Sequence, residues 1–347
     1  MGAKPTSVDV ARAAGVSQST VSRTFRNDPK VLPATRQRVI SAAELLGYYP
    51  DEFARNMVTG RSGIIAVVVP DVVNPVFPAI ITRLHEELQQ RGLRMMLFLE
   101  RNYEKGPHDI LGAAGMPVDG VILTSATVTS PVVAEIVKRK IPSVLMQRDS
   151  PMASVDRVMP DDVAGCAAAA SHLVAQGHRR IGIIAGSPQT SSGKNRKDHF
   201  AHALNSSGVV LQEQYTRVAE PSFDGSVAAA TSLLSMDPRP TAIFCASDTI
   251  AITALDVAHR MGIEVPRDVS IVGFDDIGAA AWSMIDLTTV RQDLDEQCRQ
   301  ALSMLLERID GYAGPARSVI SPVELVVRES TGAPADRHSA RSGRQTA

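Results

Sequence analysis

Beyond about residue 60, short apolar runs alternate along the chain with longer segments that have apolar positions at helical spacing. The runs form two series, at 64–69, 95–99, 120–123 and 143–146, and at 181–185, 215–218, 242–245 and 269–274. The amphipathic segments between them include 78–91, 132–140, 162–176, 225–234 and 249–261. Buried strands that alternate with helices predict parallel sheets covered by helices on both faces. Two series therefore predict an α/β core of two doubly wound subdomains, with ligands bound in a cleft at the carboxyl ends of the strands.

The first 50 residues have a different pattern, in which short amphipathic segments are separated by turns. The pattern predicts three helices, over residues 7–14, 18–25 and 33–46. Thr6 and Asp9 have the spacing of a capping box at the start of the first helix, and Gly15 can end it. Ser17 is placed to cap the second helix, and Pro33 to begin the third. Two short helices joined by a turn that contains glycine are typical of the helix-turn-helix motif.

The two helices of this motif need a small apolar contact, and the second helix must present polar side chains. We expect the contact to be formed by Val8, Ala11, Val16 and Val21. The polar positions of the second helix are Gln18, Ser19, Ser22 and Arg23. These residue types hydrogen-bond base edges or phosphates in a major groove. The alternative is a small helical bundle with no role in DNA binding.

The segment 51–60 carries apolar residues on one helical face, namely Phe53, Ala54, Met57 and Val58. A helix of fewer than about 12 residues is rarely stable alone in water. The segment is therefore either a flexible linker or a helix that forms only against a partner.

The net charge of −1 hides an asymmetry between the two parts of the chain. Residues 1–62 contain nine Lys and Arg against five Asp and Glu, a net charge of +4. The remainder holds 27 of the 36 basic and 32 of the 37 acidic residues, a net charge of −5. A basic N-terminal part on an acidic body indicates that this part alone binds a polyanion.

Polar and aromatic side chains follow several of the predicted strands. They are Phe77, Gln147, Arg148, Arg196, Phe223, Ser247, Asp248, Asp275 and Asp276. A carboxylate accepts paired hydroxyls, a guanidinium donates in a fork, and an aromatic face covers the apolar side of a ring, so the set is typical of a polyol or heterocycle site. Phe77 and Phe223 could instead belong to the core. Asp248 could cap a helix, and Arg196 could be a surface charge.

Several other functional classes have little support in the sequence. Cys166, Cys245 and Cys298 are widely spaced in apolar stretches, so we expect core thiols rather than disulfides or a zinc site. The chain has no GxGxxG after a strand, no Walker A loop, and no HExxH or GxSxG motif, and adjacent Asp pairs are poor acid–base couples. We therefore expect no enzyme activity and no cofactor or metal. The N-terminus lacks the apolar region of a signal peptide, so we expect a cytoplasmic protein with no membrane contact.

Longer phrases resemble the lactose-repressor (LacI/GalR) family. In the first 50 residues these are VDVARAAGVSQSTVSR, TRQRV and LGYYP. Further along, in the order typical of the family, come NPVF, VDGVIL, GHRRIGIIAG, FCASDTIAI, GIEVPRDVSIVGFDD and LTTVRQ. The resemblance spans roughly residues 6–331. It implies a helix-turn-helix headpiece (1–50), a hinge helix (51–62) and a periplasmic-binding-protein-like core of two subdomains (63–332). It also implies that the chain crosses between the subdomains near residues 161, 290 and 320. The polar, small and slightly basic residues 333–347 predict a disordered tail.

The resemblance assigns DNA contacts residue by residue. The residues that would contact bases are Gln18, Ser19 and Arg23. The residues that would contact phosphates are Thr6, Ser17, Thr20, Ser22, Lys30, Thr35 and Tyr48. Ala54 and Met57 align with the residues that the family's hinge helices place in the minor groove. Leu32 departs from the family's usual Ser or Thr cap on the third helix, and Met57 from its usual Leu.

The resemblance assigns effector contacts to Phe77, Gln147, Arg196, Phe223, Ser247 and Asp275. Among these, Arg196 and Asp275 are the central pair. Gln147 stands where many members have Asp, Ser247 where Asn is frequent, and His199 where Gly is common. The pocket rim therefore differs from that of other members, and the effector's identity does not carry over.

Together these observations predict a transcriptional regulator, most simply a repressor, that binds a pseudo-palindromic operator and is controlled by a small molecule in the cleft. A sugar or sugar-acid-like effector is favoured. The polar tail contains no leucine, so we expect a homodimer rather than a tetramer assembled through a C-terminal leucine helix. One alternative is a DNA-binding regulator controlled by a protein partner or by no effector. Another is a solute-binding receptor, which the reading helix argues against.

Overall fold

The computed structural model describes residues 5–25, 28–48, 61–100, 118–127, 129–150 and 154–335. The chain divides into two compact units, Met1–Ser62 and Gly63–Ala347. Ala54 and Met57, and the predicted tail beyond residue 335, lie outside the described residues. Within the described residues, no helix has the length and apolar character needed to span a bilayer.

The described residues of the first unit form three helices, and all three have the predicted bounds. They are α1 (Ser7–Ala14), α2 (Gln18–Phe25) and α3 (Pro33–Leu46). The capping box is confirmed, because the Thr6 hydroxyl oxygen accepts from the Asp9 N–H and the Asp9 carboxylate accepts from the Thr6 N–H at 3.0 Å. Ser17 Oγ accepts from the Thr20 N–H at 3.2 Å and so caps α2. Leu32 precedes α3 without any side-chain cap, as its identity predicts.

The core of this unit differs from the predicted contact at one position. Val8 is 48% exposed, whereas Val10 is fully buried. A helix that begins at Ser7 turns Val10, Ala11 and Ala14 onto one face, and Val8 then points away from it. Together with Val21, Val39 and Ala43 these residues form the core of the helix-turn-helix unit.

The second unit contains two six-stranded sheets with the same strand order. The first sheet has the order β11-β5-β4-β3-β1-β2, and the second β12-β10-β9-β8-β6-β7. The strands of the first sheet are β1 (Ile64–Val69), β2 (Arg94–Leu99), β3 (Gly120–Leu123), β4 (Ser143–Met146), β5 (Asp156–Pro160) and β11 (Ser318–Ser321). Those of the second are β6 (Ile181–Ala185), β7 (Thr216–Val218), β8 (Ala242–Cys245), β9 (Ser270–Asp275), β10 (Thr288–Gln292) and β12 (Val323–Val326). All neighbouring strands are parallel except β12, which pairs antiparallel with β10.

Helices cover both faces of each sheet, as the fully apolar strands require. They are α4 (Val76–Gln90), α5 (Pro131–Arg139), α6 (Asp162–Ala175), α7 (Ser191–Ser206), α8 (Phe223–Leu234), α9 (Asp248–Arg260) and α10 (Leu294–Ile309). In β1, Ile65, Val67 and Val69 pack on the same side as α4, while Ala66 and Val68 pack on the side of α5. The three cysteines are buried and free, which confirms their prediction as core thiols.

The chain passes between the two sheets three times, as the family resemblance implied. It leaves the first sheet after β5, returns to it between β10 and β11 through α10, and leaves it again between β11 and β12. Neither apolar series in the sequence contained these four strands. β5 begins with Asp and ends with Pro, and β10, β11 and β12 carry polar residues among the apolar ones, so the apolar-run pattern is weak.

Asp156 connects the segments that return to the first sheet. Its buried carboxylate accepts from the Arg308 Nη2 and Arg317 Nη2 at 2.7 Å each, and from the Arg317 backbone N–H at 2.8 Å. The Tyr312 ring lies under both guanidinium groups, at 4.6 Å from Arg308 and 4.3 Å from Arg317. This carboxylate therefore ties the start of β5 to the end of α10 and to the segment that leads into β11.

We expect Asp156→Asn to lower the free energy of unfolding by about 2 kcal/mol, because it weakens the charge-assisted hydrogen bonds of Arg308 and Arg317 and leaves Glu307 as the carboxylate partner of Arg317 alone. Urea denaturation of the full chain measures this change. Asp256→Asn is the control, because Asp256 forms an exposed pair with Arg260 and should cost less than about 1 kcal/mol. Equal losses in the two variants would show that the Asp156 cluster does not stabilise the fold.

Candidate functional site

The carboxyl ends of the two sheets face each other. Gln147, which follows β4, donates from its Nε2 to the Oε1 of Gln292 at the end of β10, over 2.9 Å. The Asp149 N–H donates to the Ser191 Oγ at the start of α7, over 2.7 Å. These contacts join the two subdomains at the strand ends, where ligands bind in doubly wound folds.

Arg196 lies on α7 and is only 5% exposed. Its Nε donates to Asp162 Oδ1 over 2.9 Å, and its Nη1 donates to Asp275 Oδ1 over 3.0 Å and to the Ala246 carbonyl over 2.8 Å. The guanidinium carbon lies 3.7 Å from the centre of the Phe274 ring. Arg196 is therefore a buried ion held between two carboxylates, and the interpretation as a surface charge is wrong.

The first turn of α7 reaches this position through a close backbone approach. Gly193 packs so tightly on the preceding loop that a Cβ there would lie 2.2 Å from the Ser187 carbonyl oxygen. Thr190 Oγ1 accepts from the Gly193 N–H over 3.2 Å and caps the helix. A glycine one turn before Arg196 thus lets the helix bring the guanidinium to the strand ends.

Asp275 ends β9 with a positive φ of 127°, which directs its side chain toward Arg196. Its Oδ1 accepts from Arg196 Nη1 and, over 2.7 Å, from Gln292 Nε2. Burial raises the pKa of this carboxyl, while the Arg196 charge and the two hydrogen bonds lower it. Oδ1 is thus occupied by protein donors, and none of the hydrogen bonds among the described residues reaches Oδ2.

Asp248 is fully buried behind Asp275, at the first position of α9. Its Oδ2 accepts from the Ile277 N–H over 2.9 Å, and its Oδ1 accepts from the Thr289 hydroxyl. Burial and the nearby charge of Asp275 raise the pKa of Asp248 to about 7. The helix cap is Ser247, whose Oγ accepts from the Ile250 N–H. The interpretation of Asp248 as the cap is therefore wrong, and the predicted effector residue Ser247 occupies that position.

Gln147 belongs to a cluster of three buried amides. Its Nε2 donates to the Oε1 of Gln292 and, over 2.5 Å, to the Oε1 of Gln297 on α10. Gln292 in turn donates to Asp275. A carboxylate only accepts hydrogen bonds, so Asp275 orients the Gln292 amide, and the Gln292 Oε1 then accepts from Gln147 over 2.9 Å and from Gln297 over 3.4 Å. The amide of Gln147 supplies the shorter of these two hydrogen bonds, which an ionised Asp at that position could not donate.

The two predicted aromatic contacts have different environments. Phe77 is 5% exposed in the core beside the cleft, and Arg148 lies 5.7 Å from its ring centre. Phe223 is 62% exposed at the start of α8, so its interpretation as a core residue is wrong. Phe77 is thus a core residue, as the alternative interpretation expected, and it also has Arg148 as a charged neighbour at the cleft.

The sequence reasoning missed Asp162, Gln292 and Gln297 as parts of this site. Asp161 caps α6 through the Ala164 N–H over 2.9 Å, which leaves Asp162 to turn toward Arg196. Gln292 is the last residue of β10, and the family phrase LTTVRQ that ends with it was the available signal. Gln297 had none, because it lies within a helix.

In the first unit, the predicted base-reading residues share one surface. Gln18, Ser19 and Arg23 are exposed on α2, and Val21 and Thr24 face the core. Gln18 Nε2 donates to the Ser7 Oγ over 2.9 Å, which holds the side chain over α1. Helix α2 therefore presents the Gln18 amide, the Ser19 hydroxyl and the Arg23 guanidinium to solvent.

The predicted phosphate contacts lie around this surface with varied exposure. Thr6, Ser17 and Lys30 are exposed, and Thr20, Ser22, Thr35 and Tyr48 are half-buried. Ser17 also contacts the hydroxyls of Ser19 and Thr20 at 2.8 and 2.9 Å. The Tyr48 ring lies 6.0 Å from that of Phe25, which fixes it against the end of α2.

Two family models match the chain. Residues 7–51 match the model for bacterial regulatory proteins of the lacI family, and residues 170–331 match a periplasmic binding protein-like domain. The HTH-type transcriptional repressor CytR of Escherichia coli strain K12 is 33% identical over 328 residues, covering 94% of this chain and 96% of CytR. The HTH-type transcriptional regulator CelR of Thermobifida fusca is 33% identical over 336 residues, covering 94% of this chain and 98% of CelR.

Solved structures show the same architecture. A complex of the transcriptional regulator CelR with cellobiose superposes with a TM-score of 0.72 at 32% identity, covering 94% of this chain and 99% of the other. The lac repressor dimer bound to operator and the anti-inducer ONPF superposes with a TM-score of 0.82 at 25% identity, covering 95% of this chain and 100% of the other.

We expect Asp248→Asn to flatten the pH dependence of stability. The pKa of Asp248 is 3.8 in the unfolded chain and about 7 in the folded chain. Between these two pH values the folded chain keeps a proton on Asp248 that the unfolded chain has released, so the free energy of unfolding falls as pH rises through this window. An Asn keeps an oxygen for the Ile277 N–H and an N–H for the Thr289 hydroxyl, and it does not titrate. Urea denaturation across the window measures the slope, with the exposed Asp256→Asn as control. A slope unchanged from wild type would assign the titration to another group.

Proposed function

This chain belongs to the LacI family of bacterial regulatory proteins, and on that premise we propose that it represses transcription by binding a pseudo-palindromic operator as a homodimer under the control of a small-molecule effector. One observation carries this proposal. The same chain combines an exposed polar reading face on α2 with a buried carboxylate–guanidinium pair at the facing strand ends of the core.

The reading face supports direct recognition of bases. Arg23 can donate to guanine, and Gln18 can pair with adenine or donate to other acceptors. The hydroxyls and Lys30 around it suit phosphate contacts, which fix register without choosing sequence. We assign the headpiece to residues 1–50 and the hinge to 51–62, where Ala54 and Met57 would enter the minor groove.

The core, residues 63–332, supports control by a ligand. Asp275 Oδ2 can accept a hydroxyl, and the Arg196 guanidinium holds the carboxylate in place. The exposed Phe223 can cover the face of a ring that enters the cleft, whereas Phe77 is nearly buried beside Arg148. The ligand in the CelR complex is cellobiose, which favours a sugar-like effector for this chain too.

The amide cluster connects the ligand site to both subdomains. A ligand that binds Asp275 acts on Gln292, which contacts Gln147 in the first subdomain and Gln297 on α10. An effector shifts the arrangement of the subdomains only by the difference in its affinity for the two arrangements. The position of the amide cluster at the junction of the subdomains supports this coupling.

The proposed assembly is a homodimer that acts in the cytoplasm. The solved lac repressor with operator is a dimer, and a two-fold protein reads a two-fold site with a defined half-site spacing.

Selection of bound sequences from random DNA by the full chain at fixed salt tests DNA reading. We expect a two-fold symmetric site. No enrichment over background would contradict the proposed operator binding.

On the selected site, Arg23→Ala should reduce affinity by about 10- to 100-fold, because a bidentate base contact discriminates by about 1–3 kcal/mol. Affinity for unrelated DNA should fall by less than about threefold, since phosphate contacts remain. Fluorescence anisotropy measures both. Arg12→Ala on the exposed side of α1 is the charge-matched control. An equal loss on both DNAs would remove Arg23 from base reading.

The genes beside the selected sites supply candidate effectors, namely the substrates of the enzymes they encode. Suppose that a compound changes operator affinity. Asp275→Asn should then raise the concentration of that compound needed for the change by about tenfold or more, because a charged hydrogen-bond acceptor becomes a neutral one. Without the compound, the operator affinity of this variant should stay within about threefold of the wild-type affinity. Asp256→Asn should behave as wild type. Retained sensitivity in Asp275→Asn would favour control by a protein partner instead.

A further inference from the structure

Ser7 has no role in the DNA contacts predicted from the sequence, yet its side chain lies beside the reading helix. Ser7 is the first residue of α1, and Gln18 is the first residue of α2. The Gln18 Nε2 donates to the Ser7 Oγ over 2.9 Å, across 11 positions of the sequence. Ser7 is half-buried, and Gln18 is exposed. The hydrogen bond therefore joins the start of α1 to the first side chain of the reading face.

The start of α1, and with it the position of Ser7, is fixed by the capping box. The Asp9 carboxylate accepts from the Thr6 N–H over 3.0 Å and from the Thr6 hydroxyl over 2.7 Å. Val10 of α1 and Val21 of α2 are buried in one core, so the two helices pack as a unit. Ser7 directly follows the cap residue, and its Oγ therefore has a defined position relative to α2.

The groups that Gln18 offers to DNA depend on which atoms of its amide are already used. The amide has one oxygen that accepts and one nitrogen with two N–H groups that donate. Ser7 uses one N–H, so Oε1 and the second N–H remain. In the major groove, an acceptor next to a donor matches adenine, which presents its N6 amino group and N7. Guanine presents two acceptors, O6 and N7, and would need two donors from the side chain.

The hydrogen bond to Ser7 also orders the Gln18 side chain before DNA is bound. A glutamine side chain that is free at an exposed helix start has many rotamers, and a base contact would fix one of them. Ordering one such side chain on binding lowers affinity by roughly 2- to 10-fold. The bond to Ser7 avoids this loss only for a base that matches the remaining edge of the amide. It therefore adds to the discrimination between bases.

Ser19, the next predicted base-reading residue, is held in a different way. Its hydroxyl lies 2.8 Å from the Ser17 Oγ, which also accepts from the Thr20 N–H over 3.2 Å. The Ser19 hydroxyl is thus directed back to the cap of α2, whereas the Gln18 amide is directed over α1. Of these two adjacent residues, Gln18 has the longer side chain and keeps an acceptor and a donor for a base.

We propose that Ser7 is a specificity-determining residue for DNA binding, because it orients the Gln18 amide so that Oε1 and one N–H read an adenine in each half-site of the operator. Ser7 contacts no base in this arrangement and is a positioning residue that acts through Gln18. This inference rests on the proposed operator binding and deepens it. It narrows the bases that Gln18 reads to adenine.

Sequence selection by the full chain, repeated with Gln18→Ala, identifies the base pair that Gln18 reads. We expect one position of each half-site to lose its preference in the variant, and we expect an A·T pair at that position in the wild-type site. A G·C pair there, or the absence of any position that depends on Gln18, would overturn the proposal and leave operator binding intact.

7-Deaza-adenine in that pair removes the N7 acceptor and tests the donor contact of Gln18. We expect the affinity of the wild-type chain for the selected site to fall by about threefold or more, because one hydrogen bond of the bidentate pair is lost. Gln18→Ala should bind the natural and the modified site equally. Equal binding of the two sites by the wild-type chain would overturn the proposal.

Fluorescence anisotropy with the selected site, and with the same site carrying G·C at the identified position, tests the role of Ser7. Ser7→Ala should lower the ratio of the two affinities by about 3- to 10-fold, because the amide must then be ordered on binding. In the Gln18→Ala background, the same substitution should change the ratio by less than about twofold, because Ser7 acts only through Gln18. Ser41→Ala on the exposed face of α3 is the matched control.

A purely structural role of Ser7 would lower the affinity for both DNAs equally and leave the ratio unchanged, and this result would overturn the proposal. A loss of the ratio that persists in the Gln18→Ala background would also overturn it, since Ser7 would then contact DNA directly. Thermal unfolding checks that each variant is folded. A selection without any enriched site would instead contradict operator binding itself, so the two failures are distinguishable.

Discussion

The buried Arg196 guanidinium is the interaction on which the geometry of the cleft depends. An ion taken out of water requires compensating charge and hydrogen bonds, and here three elements provide them to Arg196 on α7. Asp162 comes from α6, Asp275 from β9, and the Ala246 carbonyl from the end of β8. Displacing any of these elements would remove a hydrogen bond from a buried ion. The second subdomain is therefore rigid where the ligand would bind, and a rigid site loses less entropy on binding.

Hydrogen-bond direction extends this constraint to the first subdomain. Asp275 accepts from Gln292, so the Gln292 Oε1 is left to accept from Gln147 and Gln297. The amide at 147 is therefore connected to the acid at 275, although the two residues are 128 positions apart in the sequence. Gln147 thus completes a chain of hydrogen-bond donors between the two subdomains.

Much of the architecture was predictable because it depends on local chemistry. The capping box at Thr6 and Asp9, the turn at Gly15 and the apolar runs of β1 to β4 specify their elements within a few residues. Whether Val10 or Val8 is buried depends on the residue at which α1 begins, because a shift of the start turns the buried face by a fraction of a helical turn. The contacts of Gln147 with Gln292 and Gln297 join residues 145 and 150 positions apart, and no local pattern specifies them.

The three passages of the chain between the sheets have a consequence for how the protein is made. The first sheet needs β11, whose residues follow those of β1 by roughly 250 positions, and the second needs β12, which comes later still. A ribosome therefore releases the helix-turn-helix unit long before either sheet can be completed, since a domain folds as a unit once its chain has emerged. Both subdomains reach their final strand content almost together, at the end of translation. The reading head exists in the nascent chain well before the part that is proposed to control it.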